Sequence, residues 1–366
     1  MSQPLTAVRN VGLKIARRAA ALPKRAQRVA RRAERLREQA SYLLEEGRLE
    51  HEIAAVASGS GPIVAGPWLS EVGFEVLYWI PFLRWFVDRY RVDPSRVVAV
   101  SRGGVAAWYA GLAERYVEIF DHLDPATFTA RNEQRRSTEE SGGQKQSRPG
   151  AFDEELVAIA CREVGVAGAR VCHPSLMYRL FRQFWFGNRA LDFVLTHTRY
   201  LPWQVWHPAP EAGRRLHLPD RFAAVKFYSG TALPDTPAHR AALREIVAGV
   251  ASHLPIVLLD TALGLDEHED YLFDLGNVTS VRDALEPRVN LAIQTEIIAR
   301  ASLYVGTCGS LAWLAPMLGV ETLSVYADDR LLVSHLFVAR RAYKQMDAAP
   351  FMPVDLRALA ELHAAS

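Results

Sequence analysis

The sequence predicts an α/β protein of two parallel-sheet domains facing across a cleft, with a basic helical arm in front. Three observations predict it. Short apolar strands alternate with helical segments on both sides of a Pro-rich connector, strands end on turns of small residues, and the first 40 residues carry a charge unlike the rest. With 366 residues, 49% hydrophobic and 23% charged, the chain is globular and long enough for two cores.

The arm, residues 1–57, repeats every seven residues at Ile15, Leu22, Val29, Leu36 and Leu43, with Ala19, Ala26, Ala33 and Ala40 between them. That is an a/d-type helical seam flanked by arginines. Residues 1–40 sum to +9, which leaves −7 for the remaining 326. Three roles fit residues 9–37: a solvated helix, a helix lying on anionic lipid, or a surface for self-association. Nucleic acid is not an expected partner, because no aromatic residues interleave with the basic ones.

The first domain is expected over residues 61–205. Its strands are Ile63–Ala65, Arg96–Val100 and Tyr116–Phe120, with helices at 73–90, after Gly104 and at 153–164, and a strand-like Asp192–Leu195. Residues 131–150 are polar without an apolar period and read as a mobile insert. The connector 200–220 carries four Pro and two Trp.

The second domain, 220–350, alternates strands (222–227, 255–260, 277–281, 303–305, 322–326) with helices (236–253, 290–300, 310–318), and residues 351–366 read as a C-terminal helix. Thr236 is placed to cap its helix, with Pro237 in the first turn. Both runs are those of Rossmann-like domains.

Candidate chemistry gathers at strand ends. Gly306, Thr307, Cys308, Gly309 and Ser310 join a strand to a helical segment, so a ligand can approach the backbone and an anion can meet free N–H groups. A turn that needs Gly for geometry alone reads equally well. Lys226 ends its strand on the same edge and could offset diphosphate charge; Asp260 ends another and opens a loop suited to ribose or base. In the first half, Arg102 follows a strand within Ser101-Arg102-Gly103-Gly104, where it could meet an anionic acceptor or donor phosphates.

His173, His197 and His207 lack metal-ligand spacing, and Cys161, Cys172 and Cys308 form no pair motif, so no metal is expected and the thiols read as free in a reducing compartment. No apolar run reaches the roughly 18 residues of a membrane span. The expected location is the cytoplasm, peripheral to the membrane if the arm binds it.

The run IARASLYVGTCGSLAWLAPMLGVETLSVY resembles the donor-site motif of GT-B glycosyltransferases, in their heptosyltransferase-like and fucosyltransferase-like branches, over roughly residues 220–330. Cys308 stands where those families use Asp, Asn or Ser. The resemblance implies a nucleotide-sugar donor on the Gly306–Ser310 turn, Lys226 on the β-phosphate and Glu296 on ribose or base. It also implies a glycan or lipid-linked acceptor, no metal or other cofactor, and an acidic base in the loop after the first strand, Glu71 first and Glu75 second. An epimerase or pyruvyl-type transferase of the same fold, or a non-catalytic nucleotide-binding scaffold, would share the turn.

Overall fold

The computed structural model describes residues 41–137, 146–203, 216–261, 263, 269–274 and 276–358. The basic segment 9–37 lies outside them; residues 41–57 are helical. No helix of the described residues is long and apolar enough to cross a membrane.

Residues from Ile53 onward form one compact unit that carries both sheets. The first holds β1 (Ile63–Ala65), β2 (Val97–Ser101), β3 (Arg115–Glu118) and β4 (Arg170–Cys172), in the order β3-β2-β1-β4. The second holds β5 (Ala223–Lys226), β6 (Ile256–Leu258), β7 (Val278–Ser280), β8 (Leu303–Thr307), β9 (Thr322–Tyr326) and β10 (Phe351–Asp355), in the order β10-β9-β8-β5-β6-β7. Every pairing is parallel. Helices cover such sheets on both faces, which is why β1 and β2 are apolar and buried at nearly every position.

The two orders locate two crevices. In the second sheet the chain winds outward from β5 through β7, then returns to lay β8 on the other side of β5. In the first, β4 returns to the free side of β1. Strand ends diverge at these switch points, so the residues after β5 and β8, and those after β1 and β4, line openings.

Several elements differ from the sequence reading. The described parts of 131–150 are no mobile insert: a helix runs over Pro125–Ser137, and Asn132, Arg135 and Gln146 are buried. Their few buried positions hold hydrogen-bonding groups, which leave no apolar period; residues 138–145 lie outside the described set. Leu191–Thr196 is a helix, not a strand, with Asp192 favouring its first turn. The segment after Gly104 is a 3-10 turn, Val105–Tyr109. Phe351–Asp355 is the edge strand β10 and not a helix; an edge tolerates Pro353 because its missing N–H need not join a ladder. Residues 310–318 form two 3-10 turns, Ser310–Ala312 and Ala315–Leu318, because Pro316 interrupts the backbone donors. The Thr236 cap forms as expected, accepting from His239 N at 3.1 Å.

Candidate active site

The loop from β1 to Glu71 is held by three side chains. Gln146 accepts from Leu69 N at 2.9 Å and donates to Pro67 O at 2.9 Å. Asn132 donates to Leu69 O at 3.1 Å, while Arg102 donates to Trp68 O at 3.3 Å and to Ser70 O at 3.0 Å. Asp153 fixes Gln146 in turn and also binds His173, whose Nδ1 caps the next helix at Ser175 N. A loop whose backbone groups are satisfied this way is rigid without regular structure. Arg102 is therefore spent on the loop and does not face a ligand. Its 3% exposure is that of a core residue.

Glu71 ends this loop, half-buried, immediately before the helical turn Val72–Phe74, and its side chain does not cap that turn. The helix-capping role that a carboxylate could play there is not the one it takes. Glu75 lies one turn on, at the start of a π-helical stretch, and is completely buried. Its Oε1 accepts from Ser101 Oγ at 2.7 Å and from Tyr109 OH at 2.6 Å. Burial raises its pKa to about 7, against those hydrogen bonds and the charge of Arg102, which lower it. Glu118 sits nearby on the amides of Gly103 (3.0 Å) and Gly104 (2.8 Å), so the turn at Gly103-Gly104 is already taken by a carboxyl group of the chain itself.

The Glu75 pKa has a consequence for stability. Unfolded, the group releases its proton near 4.5; folded, it keeps it to about 7. Between those values the native state binds more protons, so this contribution is full below about 4.5 and lost as pH rises through about 7. Urea unfolding of Glu75→Gln should show a flatter decline than wild type over that window. The difference should reach up to about 3 kcal/mol; parallel curves would mean Glu75 ionises normally.

On the second sheet, β5 and β8 meet with Lys226 opposite Gly306. A Cβ at Gly306 would lie 2.3 Å from Lys226 O, so glycine is required for strand contact. The Thr307 hydroxyl accepts from Tyr228 N at 2.9 Å and donates to Tyr228 O at 3.0 Å; it stitches strand ends and is not turned to a ligand. Cys308 is buried, and burial pushes its thiol up to about 12, so it fills space and is no thiolate. Gly309 at φ 135 and Ser310 at φ 42 carry the sharp turn. A non-glycine residue there stores on the order of 1 kcal/mol, which marks Ser310 as constrained by its surroundings. Only a 3-10 turn starts at Ser310 in place of the expected helix, so no full helix dipole points at this turn.

Lys226 Nζ binds Leu259 O at 2.8 Å and Asp270 at 3.1 Å. Asp260 is turned inward: it accepts from Ser280 Oγ at 2.5 Å and from Arg282 Nε at 2.9 Å, joining β6 to β7. Glu296 pairs with Arg300 at 3.8 Å. It is two residues past Gln294, about 200° around the helix, and does not line the cavity.

That cavity, about 70 Å³, lies between the halves and is lined among others by Val72, Lys226, Asp270, Asn290, Gln294 and Ser310. The residue next to Glu71 and the turn on β8 thus share one space. The halves touch closely: a Cβ on Gly73 would lie 2.9 Å from Ser310 N, and Gly103 O accepts from Leu291 N and Ala292 N at 3.0 Å each. Trp108 Nε1 donates to Thr295 Oγ1 at 3.1 Å, and Tyr78 OH meets His335 Nδ1 at 2.6 Å. The aromatic residues build this body: Trp68, Trp79 and Trp108 are fully buried, and Trp68 stacks on Trp79 and Tyr178.

No family model and no curated protein matches the chain. Solved structures similar to it include the iron-containing dodecameric glycosyltransferase TibC from enterotoxigenic E. coli (9% identity, TM-score 0.39, 73% of this chain and 58% of that one). The chain thus spans 58% of the length of TibC. Others are the ADP-heptose LPS heptosyltransferase II of E. coli (12%, TM-score 0.39, 73% and 85%) and a UDP-N-acetylglucosamine 2-epimerase of Listeria monocytogenes described as putative (11%, TM-score 0.32, 80% and 93%). The chemistry of this site has to come from its own residues.

Asn290 and Gln294 are the functional candidates that sequence reading missed. They lie one helical turn apart on the face that meets the cavity. The only signal for them was that spacing, which any helix with two amides would show.

Proposed function

We propose that this chain is a glycosyltransferase that moves a sugar from a nucleotide-sugar donor to a glycan or lipid-linked acceptor without a metal. The observation that carries the reading is the shared cavity: Lys226 and Ser310 at the β5–β8 switch point face Val72, the neighbour of Glu71. A transferred sugar must lie between a leaving diphosphate and an acid–base group, and these are the two walls.

In this reading the diphosphate meets the Ser310 turn and Lys226. An ammonium has three donors; Leu259 O lies at 2.8 Å and the two Asp270 oxygens at 3.1 and 3.3 Å, so a phosphate oxygen takes the place of the longer Asp270 contact as charge grows in the transition state. Glu71 takes the proton of the attacking hydroxyl. At about 70 Å³ the cavity admits only part of a donor, so the contacts at Gly73 and Gly103 must loosen for entry.

Thermal unfolding in the presence of UDP-, GDP- and ADP-sugars tests the donor site. A donor present at about 100 times its Kd should stabilise the protein by about 2.7 kcal/mol. Lys226→Ala should lose that shift. If no nucleotide sugar raises the melting temperature of the wild type, the donor site assigned here does not exist.

A further inference from the structure

Gln294 is almost completely buried, at 1% exposure, lines the cavity, and has an Oε1 that no group among the described residues meets. Its amide is not turned at random. Asn290 Nδ2 donates to Pro287 O at 2.8 Å, which leaves Asn290 Oδ1 to accept from Gln294 Nε2 at 3.3 Å. One N–H of the Gln294 amide is thereby committed to the helix, which fixes the orientation of the amide and leaves Oε1 as its atom without a partner among the described residues. A buried acceptor without a partner is costly, so a group that satisfies it gains more than an ordinary hydrogen bond at the surface would.

We infer that Gln294 reads a hydrogen-bond donor, a hydroxyl or an amide N–H, on the transferred sugar. This rests on the proposed transfer reaction. Place and chemistry both point to the sugar. A phosphate oxygen has no hydrogen to give and is repelled by a carbonyl acceptor, which removes the diphosphate as the partner of Oε1. The cavity lies between Ser310 and Lys226 on one side and Val72, next to Glu71, on the other; the group that must occupy that interval is the ring being moved. The cavity volume, about 70 Å³, is that of one hydroxymethyl-sized group or about two waters, so one edge of a sugar fits. The substrate class is therefore a sugar bearing a donor on that edge, and one deoxygenated there is rejected. A site built to bond a hydroxyl discriminates strongly against the analogue lacking it, because its own buried group is left unpaired.

Titration calorimetry on the full chain tests this with paired probes: each nucleotide sugar and the matching free nucleoside diphosphate. Gln294→Met keeps the volume and removes the acceptor. It should lose about ten-fold or more of the affinity that the sugar adds and leave nucleoside diphosphate affinity unchanged. Equal loss for both probes, or loss for neither, overturns the role of Gln294 while the donor site stands. A wild type that binds neither probe overturns both. Should Gln294→Met fold poorly, wild type alone decides: among donors with each sugar hydroxyl replaced in turn by hydrogen, one should bind about ten-fold worse than the rest. A uniform response across the series would refute the assignment.

Discussion

Glu71→Gln is expected to slow sugar transfer by a factor of about 10² to 10⁴, the range a general base contributes, with donor affinity little changed. The expectation follows from where two neighbouring carboxylates sit. Glu71 is half-buried at the end of a loop held by Gln146, Asn132 and Arg102, so the group is positioned without having to be ordered by substrate. Glu75 is completely buried, holds Ser101 and Tyr109, and keeps its proton to about 7. A glutamine at 75 imitates that neutral acid and can still accept both hydrogen bonds, so Glu75→Gln should retain most of the transfer rate at pH 7. Single-turnover rates at saturating donor separate the two. Loss in Glu75→Gln with retention in Glu71→Gln would exchange their roles.

The sequence made the sheets legible because buried parallel strands are unbroken apolar runs, and Ile63–Ala65 or Ile256–Leu258 have no other reading. β4 escaped because Arg170-Val171-Cys172 is three residues long and not apolar, though its return beside β1 creates the first switch point. The described parts of 131–150 depart from the sequence expectation for a deeper reason. Hydrophobic periodicity detects burial by apolar surface, whereas Asn132 and Gln146 are buried by bonding to a loop that lies far away in the chain. The site shows the same divide. The edge on which Lys226 and Ser310 lie was readable from strand order, but the partners of a polar side chain were not. Thr307, Asp260 and Arg102 all sit at strand ends, and each is turned to the protein's own backbone or side chains. Glu296 was placed by resemblance one helix face away from the amides that line the cavity.

Gly306→Ala should be strongly damaging for the addition of a single methyl group. Lys226 and Gly306 are register partners in adjacent parallel strands, and the added Cβ would stand 2.3 Å from Lys226 O and 2.8 Å from Tyr304 OH. The first contact is backbone in the middle of the sheet, so no rotamer relieves it; β5 and β8 must move apart. Overpacking of a core costs about 1–3 kcal/mol, and a clash that breaks a central ladder belongs at or above the top of that range. Gly319→Ala is the internal control. Its φ of 82 strains an alanine, but no atom lies within 4 Å of the new methyl, so only the conformational penalty of about 1 kcal/mol should appear. Urea unfolding of the two variants separates packing from backbone freedom. Because β5 and β8 bound the proposed diphosphate site, spreading them also displaces Lys226 from the Ser310 turn, and Gly306→Ala should lose nucleotide-sugar stabilisation even where it remains folded. Equal destabilisation by the two substitutions would mean that Gly306 serves its turn alone and that strand contact at the switch point does not depend on it.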